Sequence, residues 1–195
     1  MAATPQPIDT LLSVLDDDEP IQLVDYDPTW HELGRELVQQ VSDRLHELPV
    51  DVAHIGSTAV PGLVAKPIID LQIGCTPRDL DEVLTRTQQL GFEHLGHPGG
   101  PGREYLRRRT DQPANIAVVE LHGRLWADNI MFRDYLRTHP AAVARYAHAK
   151  LSAAKEADAL REYSALKSDT VSQIMSQART ALDTPQPAET ASDHP

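Results

Sequence analysis

The chain has 195 residues, 41% of them hydrophobic and 24% charged, with a net charge of −11. That length accommodates one domain with a sizeable core plus appendages, and the absence of any run of eighteen apolar residues excludes a membrane-spanning helix. The acids of residues 1–19 and 183–195 have no Lys or Arg among them, so the body between carries only −3, too little basic character for nucleic-acid binding by counterion release.

Residues 1–19 read as an acidic tail in which Ile8, Leu11, Leu12 and Leu15 recur with helical spacing, a short amphipathic helix. No basic block precedes an apolar one there, so no secretory signal is expected. Ile21 to Val24 suggests a short strand or an extended entry. Asp27-Pro28 then starts a helix over roughly 28–48, with Asp as cap and Pro in the first turn. Its inward face carries Trp30, Leu33, Leu37, Val41, Leu45 and Leu48, and Pro49 stops it.

Val50–Ile55 and Ile68–Ile73 are apolar runs separated by a loop with Pro61, Gly62 and Pro67, which predicts two strands of a sheet. Cys75, the single cysteine, follows the second run; alone it excludes an internal disulfide, suits a reducing cytoplasm, and reads as a small buried residue. A helix opens at Thr76-Pro77-Arg78-Asp79 and ends at Gly91, followed by a short strand over Phe92–Leu95. Residues 96–102 hold four glycines and two prolines and must be a hairpin connection or a mobile loop. Arg103–Arg107 alternates as an edge strand, Asp111-Gln112-Pro113 turns the chain, and Asn115–Leu121 is a further apolar strand.

From Leu125 the pattern becomes helical: one helix to about Arg137, a second from His139-Pro140 to about Ala153, and a third over 156–182. The tail 183–195, rich in Pro, Thr and acids, is expected to be disordered. The order of elements is α+β or mixed α/β: one domain over 20–182, with the sheet in 20–124 and a helical C-terminal part in 125–182.

Asp70 is the residue that needs explaining. An ionised carboxylate in the middle of an apolar strand costs several kcal/mol unless a cation or hydrogen-bond donor meets it. The stretch leading to it is His54-Ile55-Gly56-Ser57-Thr58-Ala59-Val60-Pro61-Gly62, then Ala65-Lys66-Pro67-Ile68-Ile69-Asp70. This block resembles the signature of the GrpB family. Asp27-Pro28-x-Trp30 upstream, Phe132-Arg133-Asp134-Tyr135-Leu136-Arg137-x-His139-Pro140 downstream, and Tyr146-x-x-x-Lys150 extend the resemblance over about residues 21–170.

The resemblance implies a nucleotidyltransferase-like mixed sheet packed with helices, similar also to the domain fused to some bacterial dephospho-CoA kinases. It implies Mg²⁺ and ATP, or another nucleoside triphosphate, as cofactors. In such a fold a Gly-Ser turn holds phosphates, which assigns Gly56, Ser57 and Thr58 to the nucleotide. The next strand ordinarily carries Asp-x-Asp on one face for the metal. Here Asp70 is followed by Gln72, a neutral and weaker Mg²⁺ ligand. Glu120 is the candidate third acid, with Glu104 the alternative.

Lys66 in the connecting loop, and Arg103 and Arg107 on one face of their strand, are cations suited to phosphate. Tyr146 and Lys150, and likewise Tyr163 and Lys167, sit four apart on a helix and either line the site's far wall or simply pack. His54 reads as a hydrogen-bonded structural histidine before a general base, and His94-x-x-His97 lacks a third ligand for zinc. Two readings follow. In the first, an enzyme uses Mg-ATP on a small-molecule acceptor, either for nucleotidyl transfer or for adenylation leading to an amide. In the second, a non-catalytic module binds nucleotide or anion. No nucleic-acid or membrane partner is expected, and the sequence assigns no oligomeric state.

Overall fold

The computed structural model describes residues 21–97, 102–158 and 160–183. The expected N-terminal amphipathic helix and the residues of the C-terminal tail beyond Asp183 lie outside these residues. The chain enters through Val24, whose backbone pairs with Ala65 in a single bridge. Helix α1 (Thr29–Arg44) follows. Asp27 acts as its cap: the carboxylate accepts from the Thr29 N–H at 2.8 Å and from the Thr29 hydroxyl at 2.7 Å. The helix ends four residues earlier than the apolar pattern predicts, because residues 45–48 tighten into turns that keep Leu45 buried.

Five strands form one mixed sheet: β1 (Asp51–Ile55), β2 (Ile69–Cys75), β3 (Glu93–His94), β4 (Arg103–Arg108) and β5 (Ala114–Glu120). Their spatial order is β1-β2-β5-β4-β3, with β2 and β5 parallel and every other neighbour antiparallel. Strands β3 and β4 pair antiparallel on either side of the glycine-rich stretch, of which residues 98–101 lie outside the described residues. Helix α2 (Leu80–Gln88) follows β2. The three expected C-terminal helices are α3 (Arg124–Thr138), α4 (Pro140–Glu156) and α5 (Leu160–Asp183). The mixed α/β class read from the sequence is the one observed, and no helix among the described residues is long and apolar enough to cross a membrane.

Side-chain alternation divides the sheet into two faces. Leu71, Ile73, Cys75, Ile116, Val118 and Leu106 pack with Trp30, Leu37 and Val41 of α1 and Val83 of α2 in the main core. Burying one such side chain contributes about 1.5–3 kcal/mol, which is why this face is continuous and apolar. The opposite face carries Asp70, Gln72 and Asn115, and beside them Ile55, Ala117 and Val119 pack under Leu125, Trp126 and Ile130 of α3. Polar residues are therefore gathered on the helical C-terminal side. A third cluster joins the loop after β1 to the helices, with Val60 and Leu63 against Phe132, Tyr146, Val171 and Ile174.

Candidate active site

Gly56 terminates β1 with φ 72° and ψ −169°, a backbone conformation that essentially only glycine adopts. A side chain there is excluded twice, since a Cβ at this position would come within 2.5 Å of the Asp70 Oδ2. The Asp70 carboxylate thus lies directly against the Gly56 backbone, across the β1–β2 pair that sets Ile55 opposite Asp70. Ser57–Ala59 then forms a single 3₁₀ turn, whose leading N–H groups have no acceptor within the turn.

Two helices hold this turn. From α4, the Lys150 ammonium, only 3% exposed, donates to the Ser57 hydroxyl at 2.6 Å, although the two residues are 93 apart in sequence. It also lies 5.4 Å from the centre of the Tyr146 ring, which itself packs edge-to-face on Phe132. From α3, Arg133 donates to the His54 carbonyl at 2.9 Å and Arg137 to the Ala59 carbonyl at 2.8 Å. The two guanidiniums thus engage backbone acceptors on either side of the turn.

Lys167 of α5 is buried over the ring of Tyr163 at 4.6 Å. Helices α4 and α5 are antiparallel: Arg145 meets Gln177, Tyr146 shares a cluster with Val171, and Ala153 shares one with Tyr163. That register sets Lys167 level with Lys150.

His54 is buried beneath the turn and stacks on Gly34 of α1, where any side chain would collide with its ring. Burial, then Arg137 and Arg133, push its pKa down to about 4, so it is neutral. Its Nε2 meets the Thr58 hydroxyl at 3.0 Å, and that hydroxyl in turn donates to the Ile68 carbonyl. Nε2 therefore carries the proton, and Thr58 serves the scaffold through its side chain. The structural reading of His54 is the one the geometry supports.

The remaining expected site residues are distributed as follows. Lys66 is half-buried in the loop before β2. Gln72 is fully buried with both ends of its amide engaged, accepting from Asn129 at 2.9 Å and donating to the Trp126 carbonyl at 3.3 Å. It ties β2 to α3 and does not present a free ligand beside Asp70. Glu120 is not brought to Asp70: its register partner on β2 is Cys75, and the alternation along β5 turns it to the other face of the sheet. Glu104 also lies on that other face, where its two carboxylate oxygens accept from His94 Nε2 at 2.7 Å and His97 Nδ1 at 2.6 Å.

Asn115, and not the candidate third acid Glu120, is Asp70's partner across the parallel pair. Its amide donates to Asp70 Oδ1 at 2.8 Å, while its own oxygen accepts from Arg109 at 2.9 Å. Arg107 continues this cross-strand row and is held by Glu93 at 3.1 Å. Arg103 is four residues further along β4, roughly 13 Å from that row at 3.3 Å per residue.

Sequence reading passed over Asn115, Arg109, Asn129 and the roles of Arg133 and Arg137. A polar residue heading an otherwise apolar strand was the available signal for Asn115. The spacing of Arg133 and Arg137 on one helical face was the signal for the clamp.

As to a metal, no group of three or more His, Cys, Asp and Glu residues among the described residues is arranged to hold one. Asp70, the single carboxylate at the turn, is the residue that would hold a divalent cation there. It does not suit a site that holds two metals by itself.

Over 69% of its length the chain is 30% identical to the glutamate-rich protein GrpB of Alkalihalophilus pseudofirmus, spanning 81% of that protein. The conserved protein GrpB from Enterococcus faecalis, solved by crystallography, superposes with a TM-score of 0.73 at 28% identity, over 84% of this chain and all of that one. A dephospho-CoA kinase of Mycobacterium tuberculosis is 27% identical over 71% of this chain, which spans 41% of that longer protein. The family model described as GrpB protein matches residues 20–177, and the chain belongs to the GrpB family.

Proposed function

We propose that this protein binds a nucleoside triphosphate, ATP in the first instance, at the Gly56–Ser57 turn, and uses it to activate a small-molecule acceptor by nucleotidyl transfer or adenylation. One observation carries the reading: the Asp70 carboxylate is pressed against Gly56 while the buried Lys150 ammonium meets Ser57 at 2.6 Å, so anion donors and a metal ligand converge on one turn. Lys150, with Lys167 level with it, supplies charge for phosphate oxygens, and the turn supplies backbone donors. Asp70 is the residue that would hold a Mg²⁺ arriving on the nucleotide; such an ion neutralises phosphate charge as the leaving pyrophosphate forms.

A second observation favours one kind of acceptor. With Asn115 beside Asp70 and Glu120 on the far face, Asp70 is the one carboxylate at the turn among the described residues. An alcohol acceptor would need a base to take its proton. A carboxylate acceptor is ionised already at neutral pH and needs none. Adenylation of an amino acid or another carboxylate, passed on to an amine as an amide, therefore suits this site better than transfer to an alcohol.

The test is a calorimetric titration of ATP with and without Mg²⁺, on wild type and Asp70→Ala, followed by pyrophosphate release with carboxylates and with alcohols. The proposal expects Mg²⁺ to tighten ATP binding in wild type and Asp70→Ala to abolish that gain, with pyrophosphate released only when a carboxylate is present. Equal ATP binding in all four titrations with no pyrophosphate would reduce the protein to a nucleotide-binding module. No ATP binding at all would overturn both.

A further inference from the structure

Lys150 and Lys167, level with each other on α4 and α5, are 3% and 4% exposed. Two ammoniums on facing helices repel, and burial raises the cost of each charge. An anion set against both offsets that cost. The nucleotide reading supplies one as phosphate, and the chain itself carries another. Asp16, Asp17, Asp18 and Glu19 are four consecutive acids, and residues 1–19 contain no Lys or Arg.

Those four acids lie outside the described residues, but the point at which the chain enters is given. Ile21 and Leu23 pack on Ala153 of α4 and Tyr163 of α5. Ala153 lies three positions after Lys150, and Tyr163 lies four before Lys167, whose ammonium sits over its ring at 4.6 Å. The cluster that holds Ile21 is therefore about 5 Å from each lysine along its helix. A chain spans at most about 3.6 Å per residue, so Glu19 is within about 7 Å of Ile21 and Asp16 within about 18 Å. All four carboxylates are tethered within reach of the pair, at an effective concentration of about millimolar. The acids beyond Asp183 are placed differently, because α5 carries the chain about 24 Å past Lys167 before that tail begins.

We infer that the acidic run 16–19 docks on Lys150 and Lys167 and competes with phosphate for them, an autoinhibitory contact that a bound triphosphate displaces. The competition rests on the assignment of these lysines to phosphate; the docking rests on charge and on the position of Ile21. A segment that holds the site about nine-tenths of the time raises the apparent Kd of a phosphate ligand about tenfold. Added salt screens the contact and shrinks that factor.

Calorimetry at low ionic strength, with inorganic tripolyphosphate as the probe, compares the full chain with a variant carrying Asp16→Asn, Asp17→Asn, Asp18→Asn and Glu19→Gln. The variant is expected to bind at least tenfold more tightly, and the gap to narrow as salt is added. In parallel, carbodiimide coupling of wild type without the probe, read by peptide mass spectrometry, is expected to join residues 16–19 to Lys150 or Lys167. Tripolyphosphate is expected to suppress that link, and Glu189 and Asp193 serve as internal controls. The inference is overturned by no link to either lysine, by links only between two copies of the chain, or by equal links from Glu189 and Asp193. Measurable but equal tripolyphosphate binding by the two proteins overturns it as well. If neither protein binds tripolyphosphate while the link forms, the phosphate reading fails and the docked segment stands.

Discussion

Replacing Gly56 by alanine tests the geometry on which the site rests, because a second glycine in the same loop serves as its control. Gly62 also has positive φ, at 78°, but a Cβ built there meets nothing within 4 Å. Gly62→Ala therefore bears only the backbone strain of a left-handed alanine, about 1 kcal/mol. Gly56→Ala bears that strain in a region nearly closed to any side chain, about 2 kcal/mol. In addition its methyl would lie 2.5 Å from Asp70 Oδ2 and 2.9 Å from Asp70 Cβ. Relieving that overlap pushes Asp70 away from the turn and off its 2.8 Å bond to Asn115. Overpacking of this sort adds about 1–3 kcal/mol.

The total for Gly56→Ala is about 3–5 kcal/mol, and the difference from Gly62→Ala at least about 2 kcal/mol. For a chain of this size that is a gap of roughly 4–8 °C in Tm. Paired urea and thermal melts measure it, and ATP titration of the folded fraction adds that Gly56→Ala loses affinity while Gly62→Ala keeps it. Equal destabilisation by the two substitutions would mean that Asp70 does not lie against Gly56, and the argument for the site would fail.

Other consequences follow from the same contacts. Arg137→Ala removes the donor to the Ala59 carbonyl, at about 1–2 kcal/mol in a urea titration. NMR titration should then find the His54 pKa higher than about 4 but still below 6.5, because burial is the larger cause and stays. Since the folded-state pKa of His54 is lowered, the unfolded chain binds more protons between the two values. The stability from keeping His54 neutral is present above pH 6.5 and lost as pH falls toward 4, by up to about 3 kcal/mol. Urea melts at pH 7 and pH 4.5 should therefore show a smaller acid loss in His54→Gln than in wild type. An equal loss in both would contradict a buried neutral histidine. Lys150→Met, close in volume and uncharged, should leave Tm within a few degrees of wild type while weakening ATP at least tenfold in calorimetry; unchanged affinity would remove Lys150 from the phosphate site.

Much of this was legible in the chain because it depends on near neighbours. Asp27 declares a helix start through a hydrogen bond two residues away. Gly56 and Ser57 between two apolar runs announce a turn, and the runs themselves announce strands because side-chain alternation is a local property. The pairing of β1 with β2 as neighbours in sequence follows across the loop of residues 56–68, and with it the opposition of the turn and Asp70. The site's anchor could therefore be found without coordinates.

What the sequence left open concerns groups brought together from far apart. Parallel pairing of β2 with β5 spans α2, β3 and β4, and nothing local fixes its register. A shift of one residue along β5 exchanges its two faces. That register alone determines that Asn115, and not Glu120, stands next to Asp70. Likewise Gln72 shares Asp70's face by alternation, but only the docking of α3 turns its amide into a strut held by Asn129 and the Trp126 carbonyl. Lys150 reaches Ser57, and Arg133 and Arg137 reach the turn's carbonyls, because the apolar faces of α3 and α4 pack against Val60 and Leu63. The sequence by itself determined the turn and the acid, whose conformations are dictated by residues within reach along the chain. The tertiary structure decided which charges surround them, since hydrophobic burial fixes where helices dock and is indifferent to the polar groups that arrive with them.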